Sequence, residues 1–137
     1  MAPDFLVYKE GDGMELARLE PEFAVCKIPD LSGVDFSRAF VFLSKTEEEI
    51  SLVCEACRAP DNATALEAGW KALKIAEALA FTEVGVLAKI SNLLALGNIS
   101  IFVISTYNTD YIFVKSSDLE KSVLTLRNNG YEIENLP

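Results

Sequence analysis

The 137-residue chain contains no histidine. That removes the commonest general base and the commonest metal ligand. Cysteine is scarce too: only Cys26, Cys54 and Cys57. A zinc site on Cys54-x-x-Cys57 would need two more ligands, and only Cys26 and carboxylates remain. A thioredoxin-like pair would lie between a strand and a helix start, whereas Cys54 ends the apolar run Ile50-Ser51-Leu52-Val53 and Cys57 falls in a polar segment. Reduced cysteines without a metal are expected. No window approaches the roughly 18 apolar residues of a membrane span. The opening Met1-Ala2-Pro3-Asp4 lacks the basic region and apolar core of a signal peptide, so a cytoplasmic location is expected.

Basic residues number 12 against 21 acidic ones, giving a net charge of -9, and they form no cluster. Such a surface repels phosphate backbones and anionic headgroups, so neither nucleic acid nor membrane is an expected partner. A cationic or zwitterionic small molecule suits the field, as does an acidic surface that serves only solubility. No nucleophile–base pair, phosphate loop or metal cluster is legible, so no catalytic residue, metal or cofactor is expected.

What the chain does hold is organised around Phe81–Asp110. A turn, Phe81 to Gly85, precedes a helical pattern with Leu87, Ile90 and Leu94 on one stripe and Val86 and Leu93 beside it. Thr82 is the expected N-cap and Gly97 the expected stop. Ile101–Ile104 is an uninterrupted apolar run, the pattern of a buried strand. The polar turn Thr106-Tyr107-Asn108-Thr109-Asp110 makes Tyr111–Val114 its hairpin partner. Ser117 and Glu120 have capping-box spacing before a helix with Leu119, Val123 and Leu126 on its buried stripe, ended by Gly130. Tyr131–Ile133 gives a last strand, so the order from Trp70 onward is β-α-β-β-α-β, with an antiparallel sheet and both helices on one face.

The front half repeats parts of this order. Short strands are expected at Phe5–Tyr8 and, after a turn at Glu10–Gly13, at Leu16–Leu19, Phe23–Ile28, Phe40–Ser44 and Ile50–Cys54. The hairpin Phe40–Ser44, turn, Ile50–Cys54 matches Phe102–Ser105, turn, Tyr111–Val114, and both first strands end in serine. Helical turns are expected at Val34–Arg38 and Ala63–Glu67, little more than remnants. Ala59-Pro60-Asp61-Asn62 is the candidate linker, giving two small units at 1–60 and 61–137 that share a core.

Three features converge at one edge of the second unit. Gly85, in the first helical turn, lets a ligand approach backbone N–H groups that lack intrahelical partners, and those donors suit a carboxylate. Glu83 and Asp110 would face an amine or a cationic side chain. Each has a structural alternative. Gly85 allows close helix packing, Glu83 favours the first helical turn, and Asp110 initiates the hairpin turn.

Thr82-Glu83-Val84-Gly85-Val86-Leu87 and Ile104-Ser105-Thr106-Tyr107-Asn108-Thr109-Asp110 resemble the ACT domain, the βαββαβ module that binds amino acids and regulates enzymes. The chain is similar to the regulatory repeats of aspartate kinases. It is closer to short proteins with two ACT-like repeats, related to those of cytosolic arginine sensors. The resemblance implies an α+β fold of two ferredoxin-like βαββαβ ACT-type units, the first degenerate. It also implies a non-enzymatic amino-acid sensor with the ligand between its units. Glu83, Val84, Gly85, Val86, Thr106, Tyr107 and Asp110 would line the pocket, with Ser44 or its neighbours contributing from the first unit. Where the sensors carry an aromatic residue near Asp110, this chain has Thr109. The implied partners are a free amino acid, cationic ones included, and either a second copy of the chain or a regulated protein. The alternative is an oligomerisation or docking module with a vestigial pocket.

Overall fold

The computed structural model describes residues 15–76 and 85–136. The strand expected at Phe5–Tyr8 and the turn at Glu10–Gly13 lie outside them. The described elements are β1 (Glu15–Leu19), β2 (Phe23–Ile28), β3 (Phe42–Lys45), β4 (Ile50–Glu55), β5 (Ala65–Ile75), α1 (Val86–Leu96), β6 (Ile101–Ser105), β7 (Asp110–Lys115), α2 (Leu119–Asn128) and β8 (Glu132–Leu136). Contacts divide the chain differently from its sequence repeats. The described residues up to Glu20 group with those from Ala72 onward, here the C-terminal unit, and Pro21–Lys71 form the N-terminal unit.

In the C-terminal unit the strand order is β6-β7-β5-β1-β8. The expected order β-α-β-β-α-β is present as β5-α1-β6-β7-α2-β8. The sheet is not wholly antiparallel as expected, because β1 pairs β8 in parallel, with Leu16 opposite Ile133. The cause is insertion. β1 runs antiparallel to β5, with Leu16 opposite Ile75, so a strand beyond it that opposes β5 must run parallel to β1. Leu16, Ile75, Ile133, Ile112 and Val114 form one face. Ile90, Leu93 and Leu94 of α1 and Leu119, Val123 and Leu126 of α2 pack on that same face, so both helices cover one side. Each of these side chains contributes on the order of 1.5–3 kcal/mol relative to full exposure, with no correction for the entropy of ordering it.

Both helix ends close on residues with positive φ. At α1, Asn98 (φ 59) follows the C-cap Gly97. The Asn98 N–H then donates to the Ala95 carbonyl at 2.9 Å and the Ile99 N–H to that of Leu94 at 3.0 Å. Gly130 (φ 91) does the same after α2, with the Tyr131 N–H donating to the Leu126 carbonyl at 3.1 Å. The expected capping box does not form. Ser117 lies in a 3-10 turn, Ser116–Asp118, that runs directly into α2, and the N-cap is Asp118 without a side-chain cap.

The N-terminal unit has the order β3-β4-β2-β5, with every pair antiparallel. Its core is Ala24, Cys26, Ile28, Leu52 and Cys54, covered by Val34 and Val41 from the loop after β2 and by Ala56, Ala59 and Ala63. The helical turns expected at Val34–Arg38 and Ala63–Glu67 are absent. Asp30 and Asp35 instead accept bonds from the backbone and hydroxyl groups of Ser32 and Ser37, turns that compete with helix. Ala65, Leu66 and Glu67 belong to β5, opposite Lys27, Cys26 and Val25. Between Phe23 and Val25 the register slips by one residue of β5, where Gly69 takes φ +88 in a β-bulge.

Candidate functional site

The N-cap of α1 is Gly85, not the expected Thr82, which lies outside the described residues. Gly85 sits at φ 88, ψ -2, the left-handed region. A Cβ there would meet nothing within 4 Å. The glycine is therefore required by backbone conformation rather than by close packing. The first helical bond runs from the Lys89 N–H to the Gly85 carbonyl at 2.9 Å. The N–H groups of Val86, Leu87 and Ala88 consequently have no acceptor within the helix, and the first turn carries no acidic side chain. Val86 and Leu87 pack against the core. What Val86 can offer a ligand is its N–H.

The second part of the candidate site is the β6–β7 turn. The Thr106 N–H donates to the Thr109 carbonyl at 2.8 Å. The Thr106 hydroxyl donates to that same carbonyl at 3.1 Å and accepts from the Thr109 N–H at 3.3 Å. Thr109 is only 6% exposed, and its hydroxyl donates to the Ile75 carbonyl at 2.9 Å. This bond fixes the turn at the C-terminal end of β5, the strand whose chain continues toward α1. Asp110 starts β7 opposite Ser105 and is half-buried. Tyr107, at the tip, is 87% exposed.

Sequence reasoning missed the role of Thr109. Its side chain holds the turn, through the hydroxyl bond to the Ile75 carbonyl. The legible signal was Thr106-x-x-Thr109, a hydroxyl residue closing a four-residue turn. Glu83 and Val84 lie outside the described residues, so their placement beside Asp110 remains a proposal.

The N-terminal unit repeats the turn. The Thr46 N–H donates to the Glu49 carbonyl at 2.9 Å, and the Thr46 hydroxyl accepts from the Glu48 and Glu49 N–H groups at 3.2 and 3.3 Å. Thr46 is thus the counterpart of Thr106. With Lys45 opposite Ile50 and Ser105 opposite Asp110, Ser44 corresponds to Ile104 rather than to Ser105. The expected match of the two strand-ending serines is off by one residue. Ser44 itself is exposed and lies opposite Ser51. A one-residue offset exchanges the faces of a strand.

Among the described residues no group of three or more His, Cys, Asp or Glu side chains could hold a metal.

An α+β module with two helices on one face of its sheet, a left-handed glycine opening the first helix and a threonine-closed hairpin defines the class. Residues 65–128 match the ACT domain family, so the chain carries an ACT domain over that stretch. ACT domains are, as a class, regulatory modules that bind small molecules, amino acids above all. No curated protein is detectably similar in sequence. Among solved structures, a protein from Agrobacterium tumefaciens is similar at 28% identity and a TM-score of 0.77, over 90% of this chain and 94% of that one. A Vibrio cholerae protein, described as of unknown function and a possible transport protein, follows at 21% identity and 0.67, over 85% and 87%. The ligand-free regulatory subunit of aspartate kinase from Thermus thermophilus shares the fold at 10% identity and 0.60, over 87% and 97%.

Proposed function

We propose that the protein is a non-enzymatic, cytoplasmic regulatory module that binds a free amino acid. The observation that carries this is the start of α1 within the ACT-matched stretch. A left-handed Gly85 opens a helix whose first N–H groups have no helical acceptor. Those donors and the helix dipole would take the ligand carboxylate. Asp110, with Glu83, would face its ammonium or a cationic side chain. Val84, Thr106, Tyr107 and Ser44 complete the proposed pocket. In this reading the chain is two ferredoxin-like units, a degenerate one at 1–60 and a complete one at 61–137, with the ligand held between them. Strand order supports a degenerate first unit: β3-β4-β2-β5 is the order a βαββαβ unit adopts, with loop and 3-10 turn replacing its helices and with β5, beyond residue 60, supplying its last strand. Neither nucleic acid nor membrane is a proposed partner. Among the described residues no helix is long and apolar enough to cross a membrane.

The test is a thermal-shift and calorimetric screen of the standard amino acids against the full chain. A saturable response to at least one is expected. Silence to all of them at millimolar concentration would refute the sensor.

One observation favours a second reading, a docking or oligomerisation module. Strand β6, Ile-Phe-Val-Ile-Ser, pairs only with β7 among the described strands and carries no charge or proline. Self-association in sedimentation, together with silence in the amino-acid screen, would select it.

A further inference from the structure

Charge is spread along the whole chain except in one stretch. Ile90–Thr109, 20 residues, holds no Asp, Glu, Lys or Arg, whereas no other uncharged run exceeds the six residues Ala39–Ser44. The stretch ends α1, forms β6 and turns into β7. Strand β6 is an edge among the described strands. The edges at β8 and β3 differ from it. β8 carries Glu132 and Glu134, and β3 ends in Lys45 ahead of Glu47, Glu48 and Glu49. Those charges oppose the addition of a further strand, and β6 has none.

The turn fixes which backbone groups of β6 face outward. The Thr106 N–H donates to the Thr109 carbonyl at 2.8 Å, so these two are a hydrogen-bonded pair. Bonded and non-bonded pairs alternate along an antiparallel ladder. Counted back through the register, Ile104–Tyr111 and Phe102–Phe113 are bonded pairs, and Ser105–Asp110, Val103–Ile112 and Ile101–Val114 are not. The N–H and C=O groups of Ile101, Val103 and Ser105 therefore point away from β7. The side chains are incompletely covered on both faces. Ile101 and Val103 pack against the core on the helix side, Phe102 stacks on Phe113 at 4.5 Å, and each residue from Ile101 to Ile104 is only half-buried. A large apolar side chain stands exposed beyond each end of the strand, Leu96 before it and Tyr107 after it.

We propose that β6 pairs antiparallel with β6 of a second copy of the chain, with Val103 on the twofold axis. The strand selects this register itself. About Val103, Ile101 falls opposite Ser105 of the second copy and Val103 opposite its own equivalent. Each of these pairs exchanges two backbone bonds, and no outward group of the strand is left over. Moving the axis to Phe102 or to Ile104 would leave Ser105 or Ile101 without a partner inside the strand. The same pairing sets Phe102 beside Ile104 of the second copy on the face away from the helices. It also brings the Tyr107 end of one copy to the Leu96 end of the other. Each copy carries a net charge of -9, so copies repel except where the contact itself adds no charge. A basic partner drawn by that field would find no carboxylate along Ile90–Thr109, whereas a second copy offers the same apolar strand. This dimer rests on the β6 edge that the docking reading names, and it forms with or without a bound amino acid.

The test is sedimentation of the full chain together with amide hydrogen exchange, read by NMR at low and high protein concentration. One strand pair makes a small interface, so a dissociation constant roughly in the micromolar range is expected. Salt screens the repulsion between copies and should tighten the dimer, the opposite of an interface held by ion pairs. In the dimer the Val103 amide should exchange about tenfold more slowly than in the monomer, while the Phe102 and Ile104 amides, already bonded to β7, change little. Val103→Pro removes an outward N–H, a place where an edge strand accepts proline, and should leave a folded monomer. Val103→Lys should do the same by setting like charges against each other on the axis. The exchange measurement uses the wild-type chain, so it decides even where a variant fails to fold. A chain that stays monomeric at the highest concentration overturns the dimer and the oligomerisation reading with it. A dimer whose Val103 amide exchanges as fast as in the monomer overturns this pairing alone and leaves self-association to another surface. Val103 protection that is the same at every concentration overturns it too, as does a folded Val103→Pro or Val103→Lys that dimerises like wild type.

Discussion

Thr109→Val is the sharpest probe of how the ACT region is held together. The substitution keeps the branched shape and deletes the hydroxyl that donates to the Ile75 carbonyl at 2.9 Å in a position 6% exposed. A buried neutral hydrogen bond contributes about 1 kcal/mol net, and a carbonyl left short of its donor raises the loss toward about 3 kcal/mol. The extra methyl of valine offsets up to about 0.8 kcal/mol of that. We therefore expect a loss of about 1–2 kcal/mol. At about 4 °C per kcal/mol for a chain of this length, the melting temperature should fall by about 4–8 °C. Thermal denaturation and urea titration, read by circular dichroism, check the figure. Amide shifts should change at Thr106–Asp110 and at Ile75, the two ends of the lost bond. If Thr109→Val melts at or above the wild-type temperature, the hydroxyl does not anchor the turn. The hairpin would then be held by its strand pairing alone.

Gly85→Ala should cost about 1–2 kcal/mol from left-handed strain, and Gly85→Asn clearly less, because a Cβ there meets nothing within 4 Å; equal losses in denaturant titration would contradict a conformational reason. Gly85→Leu should stay folded but lose amino-acid binding, and wild-type affinity by calorimetry would remove the helix start from the site. Asp110→Asn should weaken the amino acid found in the screen by about ten- to a hundredfold while leaving the unliganded melt nearly unchanged. Cys54 links stability to high pH. Burial first, then Cys26, raises its thiol from 9.0 to about 11, so the folded state favours the neutral form. Its contribution is whole below about pH 9 and is lost as pH rises through about 11. Cys54→Ala should flatten the alkaline fall in melting temperature, and an unchanged fall would exclude this thiol as its source. In the native protein only the exposed Cys57 should label quickly with a thiol reagent, and equal labelling of buried Cys26 and Cys54 would contradict their burial.

Local patterns were legible because local spacing alone specifies them. The stripe Ile90, Leu94 and the stripe Leu119, Val123, Leu126 follow the helical period, and all five are buried in one core. Gly97 and Gly130 mark the helix ends, and Thr106–Asp110 turns where its residue types demand. The caps were read less well. Thr82 and Ser117 have the right chemistry, but one helix opens on a glycine at positive φ and the other grows out of a 3-10 turn. Cap preference is worth about 1 kcal/mol, and the approach of the preceding chain overrides it.

The sequence by itself determined the alternation of strands and helices after Trp70, the acidic surface, the absence of histidine chemistry and the stretch that matches the ACT domain. Only the tertiary structure decided where β1 goes. Its apolar residues, Leu16, Ala17 and Leu19, are the same whichever strand it pairs with, and nothing local says that it enters between β5 and β8. The same holds for the start of β5. Ala65–Glu67 has a neutral local preference and becomes strand because Lys27, Cys26 and Val25 offer it a ladder. Thr109 reads as an ordinary turn residue until the Ile75 carbonyl, 34 residues away, is brought to 2.9 Å. In each case the deciding partner is distant in the chain, and a pattern confined to neighbouring residues carries no record of it.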